Sequence, residues 1–328
     1  MKLLVTGGAG YVGSHCVREL CDHDHQVVVV DNLSAGHREA VDPRAELVVA
    51  DLAERSRIDD LMTGAKFDAV MHFAGSLNVG ESVTEPLLYY RNNVVNSLSL
   101  LELMAEHEIG SFVFSSTCAV YGTPPSTPIN EDMPTEPINP YGRTKLAIEW
   151  ALADCVAAWG LSATALRYFN ASGAASDGSN GEAHDPEQHL LPLVLQVALG
   201  QRERISVFGT DYPTRDGTCV RDYIHVEDLA TAHRAAIESQ TPATFRAFNV
   251  GTGNGVSVRE LIDVARAVTG HDIPSVDAPR RPGDPAELYA NPERLMSSLG
   301  WKPRFGDIRE VVETAWGWHQ SHPNGFET

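Results

Sequence analysis

A tyrosine and a lysine four residues apart are the side chains in this sequence best suited to acid–base chemistry. Tyr141 and Lys145 follow Pro140, which favours the first turn of a helix because its φ is helical and it has no N–H to satisfy. A helix is therefore predicted through Ala158, and the two side chains share one of its faces. A nearby ammonium favours an ionised phenol, so we expect Lys145 to lower the pKa of Tyr141 from its usual value of about 10. The pair is a candidate general base.

A glycine-rich segment near the start of the sequence has the arrangement of a dinucleotide-binding loop. It follows a short apolar strand predicted at Leu3–Val5 and precedes a helix predicted over Ser14–Cys21. Glycines permit a tight turn and a close approach of the backbone to a pyrophosphate, and the N-terminus of the helix attracts the same anion. The three glycines of the G-x-x-G-x-x-G spacing are Gly7, Gly10 and Gly13.

A carboxylate ends the second predicted strand, Gln26–Asp31. Asp31 lies about 20 residues past the glycines, where a carboxylate accepts hydrogen bonds from the adenosine ribose, and this favours NAD over NADP. Asn32 follows, instead of an arginine that would bind a 2′-phosphate, although Arg38 is not far along the chain. Asp51, at the end of the third predicted strand, could contact the adenine.

Strands and helices alternate along the first half of the sequence. Further strands are predicted at 69–75, 112–117 and 162–170, with helices between them that include 92–107. This alternation predicts an α/β fold with a doubly wound parallel Rossmann sheet, in which ligands bind at the carboxyl ends of the strands. Phe73, Thr117 and Asn170 fall at such ends.

The character of the sequence changes after Asn170, where residues 171–188 are rich in Gly, Ser, Asp and Asn. We expect residues 1–170 to form an NAD-binding domain, with some later segments returning to it. Residues 171–328 are expected to form mainly a smaller C-terminal α/β substrate-binding domain. Within it, Ser257 and Glu260 fit a capping box that starts a helix.

Composition and charge exclude several classes of protein. The formal net charge of −19 argues against nucleic-acid or anionic-membrane partners. The sequence lacks an apolar run of about 20 residues, which predicts no membrane-spanning helix, and it enters a strand without a signal-peptide pattern. The five cysteines form no C-x-x-C pair, as in a reduced cytoplasmic protein. The thirteen histidines show no H-E-x-x-H spacing, so we expect no metal site.

Together these motifs resemble the extended short-chain dehydrogenase/reductase family. The glycine loop, the hydroxyl run Ser115–Thr117 and the Tyr141-x-x-x-Lys145 pair carry the resemblance. Over nearly its whole length the sequence is similar to the 4-epimerase branch of that family. The stretches that resemble this branch in particular are His72–Gly75, Val79–Ser82, Leu166–Asn170, Asp211–Val226 and Arg280–Asp284.

The resemblance implies an enzyme that interconverts UDP-galactose and UDP-glucose through a 4-keto intermediate, with transient hydride transfer to tightly bound NAD. Thr117 would then hydrogen-bond the reacting sugar oxygen, Tyr141 would be the base, and Lys145 would hold the nicotinamide ribose. Beyond the glycines and this trio, the implied NAD-lining residues are Tyr11, Val12, Asp31, Asn32, Asp51, Leu52, Phe73, Ala74, Gly75, Asn92 and Phe169. The implied UDP-hexose site comprises Asn170, His189, Leu190, Phe208, Arg221, Arg281, Asp284 and Leu288, besides Thr117 and Tyr141. Arginines suit a diphosphate because guanidinium groups bind phosphate oxygens bidentately.

Two departures from the family pattern affect these expectations. Several members carry a lysine just after the strand that ends in His-Phe-Ala, whereas Ser76–Asn78 stands here. NAD is therefore expected to be held less tightly than in those relatives. Leu288 matches a gate position where Tyr restricts the pocket to plain hexoses and Cys or Ser admits 2-N-acetyl sugars. Good activity on UDP-glucose and UDP-galactose is expected, and the N-acetyl pair stays open.

Other functions on the same fold were weighed against these residues. A 4,6-dehydratase would need an Asp-Glu pair after the threonine, but Cys118 and Ala119 follow Thr117. A 4-epimerase for UDP-pentoses or UDP-N-acetylhexosamines stays open. A catalytically silent NAD-binding regulator would usually lack the Tyr or the Lys. The helices over 92–107 and 141–158 pair across a two-fold axis in many relatives, so a homodimer is expected.

Overall fold

Short apolar strands form the centre of the protein, because runs such as Leu3–Val5 can be buried on both faces. The computed structural model describes residues 1–281 and 283–326. Pro282, within the Arg280–Asp284 stretch, lies outside the described residues. The strands are β1 (Lys2–Thr6), β2 (Gln26–Asp31), β3 (Glu46–Val49), β4 (Ala69–His72), β5 (Ser111–Thr117), β6 (Ser162–Tyr168), β7 (Asn170–Ser172), β8 (Ile205–Phe208), β9 (Val220–His225), β10 (Phe245–Val250), β11 (Gly255–Ser257), β12 (Ser275–Ala278) and β13 (Glu287–Leu288).

Helices connect most of the strands. They are α1 (Tyr11–Asp22), α2 (Arg55–Gly64), α3 (Val79–Thr84), α4 (Pro86–Tyr89), α5 (Asn96–Glu106), α6 (Pro140–Trp159), α7 (Leu190–Ala198), α8 (Val226–Glu238), α9 (Val258–Thr269), α10 (Glu293–Leu299) and α11 (Ile308–Ser321). A π-helical turn over Tyr90–Val95 joins α4 to α5, so the helix predicted from 92 is irregular at its start. In the described part of the chain, no helix is long and apolar enough to span a membrane.

The main sheet has seven parallel strands in the order β10-β6-β5-β4-β1-β2-β3. The chain builds outwards from β1 to β3, and then returns to the other side of β1 to add β4, β5, β6 and finally β10. The predicted doubly wound Rossmann sheet is therefore confirmed. Its strand order reverses between β1 and β4, and this is the switch point at which such sheets bind ligands.

Both faces of this sheet are covered by helices. Leu3 and Val5 pack with residues of α1 and α8, whereas Leu4 points the other way and packs with α2, α5 and α6. Because side chains alternate along a strand, an uninterrupted apolar run satisfies both helical layers at once.

A second layer of structure lies beyond the carboxyl ends of the main strands. There β9 pairs with β7, β11 and β13, and β8 pairs with β12. The apolar sides of α7, α9 and α11 pack together with β8 around a separate core. A small cluster that includes Tyr121, Phe169 and Leu288 fills the space between this layer and the main sheet.

Candidate active site

The glycine loop lies at the switch point of the sheet, and its glycines are required by close backbone contacts. Gly7 has a φ of +73°, and a Cβ there would lie 2.4 Å from the backbone nitrogen of Ala74, which follows β4. A Cβ at Gly13 would lie 2.2 Å from the carbonyl oxygen of Gly7. Larger residues would push β1, β4 and α1 apart, so the loop, α1 and the end of β4 form one tightly packed cradle.

The open side of this cradle suits an anion. Gly10 precedes α1, and the described atom nearest to a Cβ there would be the carbonyl oxygen of Gly7 at 3.4 Å. No described side chain caps this helix N-terminus. First-turn N–H groups without side-chain acceptors, at the positive end of a helix dipole, are a general phosphate-binding arrangement.

Carboxylates border the cradle at the ends of β2 and β3. Asp31 accepts hydrogen bonds from the N–H groups of Ala9 (3.0 Å) and Leu33 (2.8 Å), so its carboxylate is fixed against the glycine loop. Asn32 donates to Asp51 Oδ2 at 2.8 Å. The structure thus places these three predicted residues together, beside the loop, where a ribose and an adenine would extend from the phosphates.

The remaining predicted cofactor residues lie around the same switch point. Val12 and Phe73 pack against the core on the α1 side of the sheet, and Leu52 packs on the opposite side. Asn92 donates to the Ser76 hydroxyl at 2.8 Å, and Tyr11 donates to the carbonyl oxygen of Gly173 at 2.7 Å. The last contact ties the cofactor loop to the segment that follows β7.

The candidate catalytic residues Thr117, Tyr141 and Lys145 come together at the ends of β5 and α6. Asn139 caps α6 by accepting a hydrogen bond from the N–H of Gly142 at 2.8 Å, which fixes the first turn that carries Tyr141. Lys145 Nζ donates to the carbonyl oxygen of Ser115 at 2.9 Å and lies 6.0 Å from the centre of the Tyr141 ring.

The same ammonium reaches the cofactor side of the site. A Cβ at Gly75, just after β4, would lie 3.8 Å from Lys145 Nζ. Lys145 therefore lies between Tyr141, the candidate base, and the strand end beside the glycine loop. This position fits a lysine that holds a nicotinamide ribose.

The pKa values of Tyr141 and Lys145 correct one expectation. Burial raises the pKa of Tyr141 to about 12, and contact with the Thr117 hydroxyl only partly opposes this rise. Burial also lowers the pKa of Lys145 to about 8, against the attraction of Glu149. The prediction that Lys145 brings the phenol pKa below 10 is therefore wrong for the protein groups alone, because burial is the largest effect and Lys145 Nζ lies as far as 6.0 Å from the ring centre.

A buried ion-pair network beneath the trio was missed by the sequence analysis. Glu149, two turns along α6 from Tyr141, accepts hydrogen bonds from Ser116 Oγ (2.5 Å) and Arg167 Nη2 (2.5 Å). Arg167 also donates to the Tyr121 hydroxyl at 2.8 Å. The network links β5, β6 and α6 directly below the catalytic residues. The available signal was the repeat of polar residues at 141, 145 and 149 on one face of a predicted helix.

The candidate substrate residues form a polar rim on the second layer. Arg221 pairs with Asp284 and also donates to the carbonyl oxygen of Val220 at 2.8 Å. The Arg281 guanidinium lies 4.1 Å from the centre of the Phe208 ring, which is 37% exposed. Leu288 lies beside Arg221 in the pairing of β13 with β9.

Asn170 connects this rim to the main sheet. Its side-chain amide donates to the carbonyl oxygen of Asp222 at 3.2 Å, across the pairing of β7 with β9. Leu288 and Cys118, the neighbour of Thr117, both pack against the cluster that contains Phe169. The substrate rim and the catalytic trio therefore border one cleft at the carboxyl ends of the strands.

His189 and Leu190, which are also predicted substrate residues, stand at the start of α7 in a cluster that the sequence analysis did not identify. His184 Nδ1 and His189 Nδ1 lie 3.0 Å and 2.7 Å from the same carboxylate oxygen of Glu182, and Glu187 lies beside both. Burial disfavours the charged imidazoles, but the carboxylates dominate and raise the pKa of His184 to about 9 and of His189 to about 10. Burial raises the pKa of both glutamates, but the hydrogen bonds and positive charges of the two imidazoles outweigh it and lower both pKa values.

The fold and this cleft define a class of protein. The sequence matches the NAD dependent epimerase/dehydratase family over residues 3–251. The chain belongs to that family.

Individual relatives give a more specific comparison than the family model does. A curated UDP-glucose 4-epimerase of Halalkalibacterium halodurans is 51% identical over 100% of this chain and 98% of its own. A crystal structure of a UDP-glucose 4-epimerase superposes with a TM-score of 0.96 at 48% identity, covering 100% of both chains. The Bifidobacterium longum UDP-glucose 4-epimerase, solved in complex with NAD+ and UDP, gives a TM-score of 0.95 at 38% identity over 99% of this chain and 100% of its own.

Proposed function

We propose that this protein is a UDP-hexose 4-epimerase that interconverts UDP-galactose and UDP-glucose through a 4-keto intermediate. The observation that carries the proposal is the convergence of Thr117, Tyr141 and Lys145 at a Rossmann switch point, facing a rim of arginines. The family membership and the full-length similarity to UDP-glucose 4-epimerases support the same reaction.

The residues at the switch point fit NAD. Gly7, Gly10 and Gly13 leave the cradle open beside the uncapped N-terminus of α1, where the pyrophosphate would be held. Asp31 is fixed beside it as the ribose acceptor, while Lys145 stands at the nicotinamide end. NAD, when bound, supplies the hydride acceptor and donor for C4 of the sugar.

Tyr141 is the proposed base for the sugar 4-hydroxyl. It accepts the hydroxyl proton as the phenolate, so its own proton must first pass to solvent, although burial holds the pKa of the free protein's phenol at about 12. The fixed ammonium of Lys145 and the Thr117 hydroxyl both favour the phenolate, and Thr117 also positions the reacting oxygen. The same tyrosine returns the proton once the keto sugar has turned over, so the protein ends the cycle in its starting state.

The second layer is proposed to hold the UDP group while the sugar rotates. The guanidinium groups of Arg221 and Arg281 suit the diphosphate, and they explain how a chain of net charge −19 binds an anion. Phe208, 37% exposed beneath Arg281, offers an apolar face to the uracil. Residues 1–170, with β10 added later, are proposed to bind NAD, and residues 171–328 mainly bind the UDP-sugar.

A homodimer is proposed from the outer face of α5 and α6. Trp150 of α6 is 62% exposed, and Val95 and Leu98, just before and at the start of α5, are 56% and 40% exposed. Large apolar side chains on adjacent helices are typical of a protein interface. Sedimentation velocity should give twice the chain mass, and Trp150→Glu should shift the protein towards monomer.

The five free cysteines fit a cytoplasmic location, which we propose for this protein. We also propose a role in galactose metabolism.

The proposed reaction is tested by incubating the purified protein with UDP-galactose and identifying the product. We expect UDP-glucose to form without added oxidant and without a lasting absorbance at 340 nm. The absence of conversion would contradict the proposal. An accumulating 340 nm signal would instead identify a net dehydrogenase.

A further inference from the structure

The loop that leads into α7 is held rigidly from several directions. The carbonyl oxygen of Glu182 accepts a hydrogen bond from the indole N–H of Trp318 at 3.1 Å, and that of Ala183 lies 2.7 Å from His37 Nε2. The His184 ring meets the Tyr11 ring edge-on, with 6.2 Å between their centres. The segment is therefore fixed against the start of α1, which also carries the glycine loop.

Four metal-ligating side chains converge within this segment, in the spacing Glu-x-His-x-x-Glu-x-His. Donor atoms of Glu182, His184, Glu187 and His189 all lie within 4.8 Å of one another. The separations between imidazole and carboxylate donors are 2.7, 3.0, 3.2 and 3.8 Å. Four ligands at about 2.0–2.1 Å from a tetrahedral ion are about 3.3 Å apart, so these separations bracket the geometry of a metal site.

One contact in the cluster distinguishes it from an ordinary set of ion pairs. His189 Nδ1 is buried and lies 2.7 Å from Glu182 Oε1, yet it makes no hydrogen bond with any described residue. The same carboxylate oxygen already accepts a hydrogen bond from His184 Nδ1 at 3.0 Å. Two imidazole nitrogens thus converge on one oxygen, and only one of them has hydrogen-bond geometry. A cation between the four groups would use both nitrogens.

Charge and accessibility fit the same occupant. The side chains of Glu182 and Glu187 are only 4% and 6% exposed, so two carboxylates share one buried volume. Two positive charges balance them, supplied either by two protonated imidazoles or by one divalent cation that two neutral imidazoles bind. The His189 side chain is 42% exposed, which leaves the ion a path from solvent.

We propose that Glu182, His184, Glu187 and His189 bind one divalent transition-metal ion, with zinc the best match. Two imidazoles and two carboxylates suit zinc or cobalt better than magnesium or calcium, and four protein ligands are typical of a closed structural site. The ion would cross-link residues 182–189 before α7 and fix the His184 ring against Tyr11 at the start of α1. The proposal goes beyond the proposed epimerisation, which uses no metal, and it differs from the sequence-based expectation of no metal site.

The test uses the untagged full-length protein, stripped with a chelator and then titrated with Co²⁺. We expect a visible d–d band that saturates at one equivalent, disappears when Zn²⁺ is added, and lacks a sulfur-to-cobalt charge-transfer band. Excess Zn²⁺ should also raise the Tm by about 3 °C, because it binds the folded state alone. No band, or no Tm shift, in the unmodified protein would overturn the proposal.

Variants locate the site. His184→Asn with His189→Asn should abolish the cobalt band, and Glu182→Gln alone should weaken Co²⁺ binding by at least tenfold. The matched control is His107→Asn. His107 Nε2 lies 2.7 Å from Asp59 Oδ1 in an isolated two-residue pair, which should bind no ion. An unchanged band in the double variant would place the ion elsewhere. These experiments measure metal binding alone. A negative result would therefore contradict the metal site without contradicting the proposed epimerase activity.

Discussion

Lys145 Nζ lies 6.0 Å from the centre of the Tyr141 ring and makes its short contact with the carbonyl oxygen of Ser115 instead. The ammonium is therefore held by the sheet, and the phenol is left free to meet a substrate hydroxyl. This separation of tasks gives each residue a distinct experimental signature.

Removing the Tyr141 hydroxyl should lower the turnover rate and leave UDP binding nearly unchanged. Tyr141→Phe keeps the ring in its half-buried position but deletes the proton acceptor, so kcat for UDP-galactose should fall by on the order of 10²–10⁴-fold. The Kd for UDP, measured by calorimetry, should change less than about threefold, because the proposed diphosphate ligands are on the second layer. Turnover near that of the unmodified protein would remove Tyr141 from the role of base.

The charge on Lys145 should set an alkaline limit to activity. Burial lowers its pKa to about 8, so the ammonium is charged below that pH and loses its charge as the pH rises above it. The phenolate would then lose its cationic partner, and kcat/KM should decline above about pH 8. Lys145→Arg, whose guanidinium stays charged throughout, should be less active but should lack this limb. Identical pH profiles from 6 to 10 would contradict the assignment.

The buried pair beneath the site should matter for stability. Glu149 and Arg167 are 2% and 6% exposed. Glu149→Gln leaves a buried guanidinium without its counter-ion and should lower the free energy of unfolding in urea by about 3–5 kcal/mol. Adding Arg167→Met should recover most of that loss. The control is Glu313→Gln, which removes an ion pair with Arg309 that is half exposed on both sides and should cost at most about 0.5 kcal/mol. Equal effects from the two single variants would show that the buried pair has no special role.

Leu288 should control the choice of sugar. It packs against the cluster that contains Phe169 and Tyr121 and pairs in register with Arg221, so it lies between the main sheet and the substrate rim. Leu288→Ser should raise the kcat/KM ratio of UDP-N-acetylgalactosamine to UDP-galactose by about tenfold, and Leu288→Tyr should lower it. Competition assays with both sugars measure the ratio directly. An unchanged ratio in both variants would place the gate elsewhere.

Features set by neighbouring residues could be predicted from the sequence. Asn139 and Pro140 start α6 where expected, and the Ser257–Glu260 capping box is present in full. The glycine loop lies at the predicted strand-to-helix turn because it joins β1 to α1, which are adjacent in sequence, whereas its close contact with Ala74 after β4 depends on the fold.

Features that depend on distant partners could not be predicted in this way. The strand expected over 162–170 is broken at Phe169, because the next three residues pair with β9 in a different sheet. The pairing of Leu288 with Arg221 comes from a two-residue strand, which has too little pattern to detect. The pKa of Tyr141 rises instead of falling because it depends on how much solvent the whole fold removes.

The central claim is that the hydrogen at C4 leaves the sugar and returns to the same molecule. It is tested most directly by converting UDP-galactose labelled with deuterium at C4 in ordinary water, and by analysing the UDP-glucose by mass spectrometry and NMR. The account predicts that the product retains the deuterium at C4. UDP-glucose that carries solvent hydrogen at C4 would contradict it.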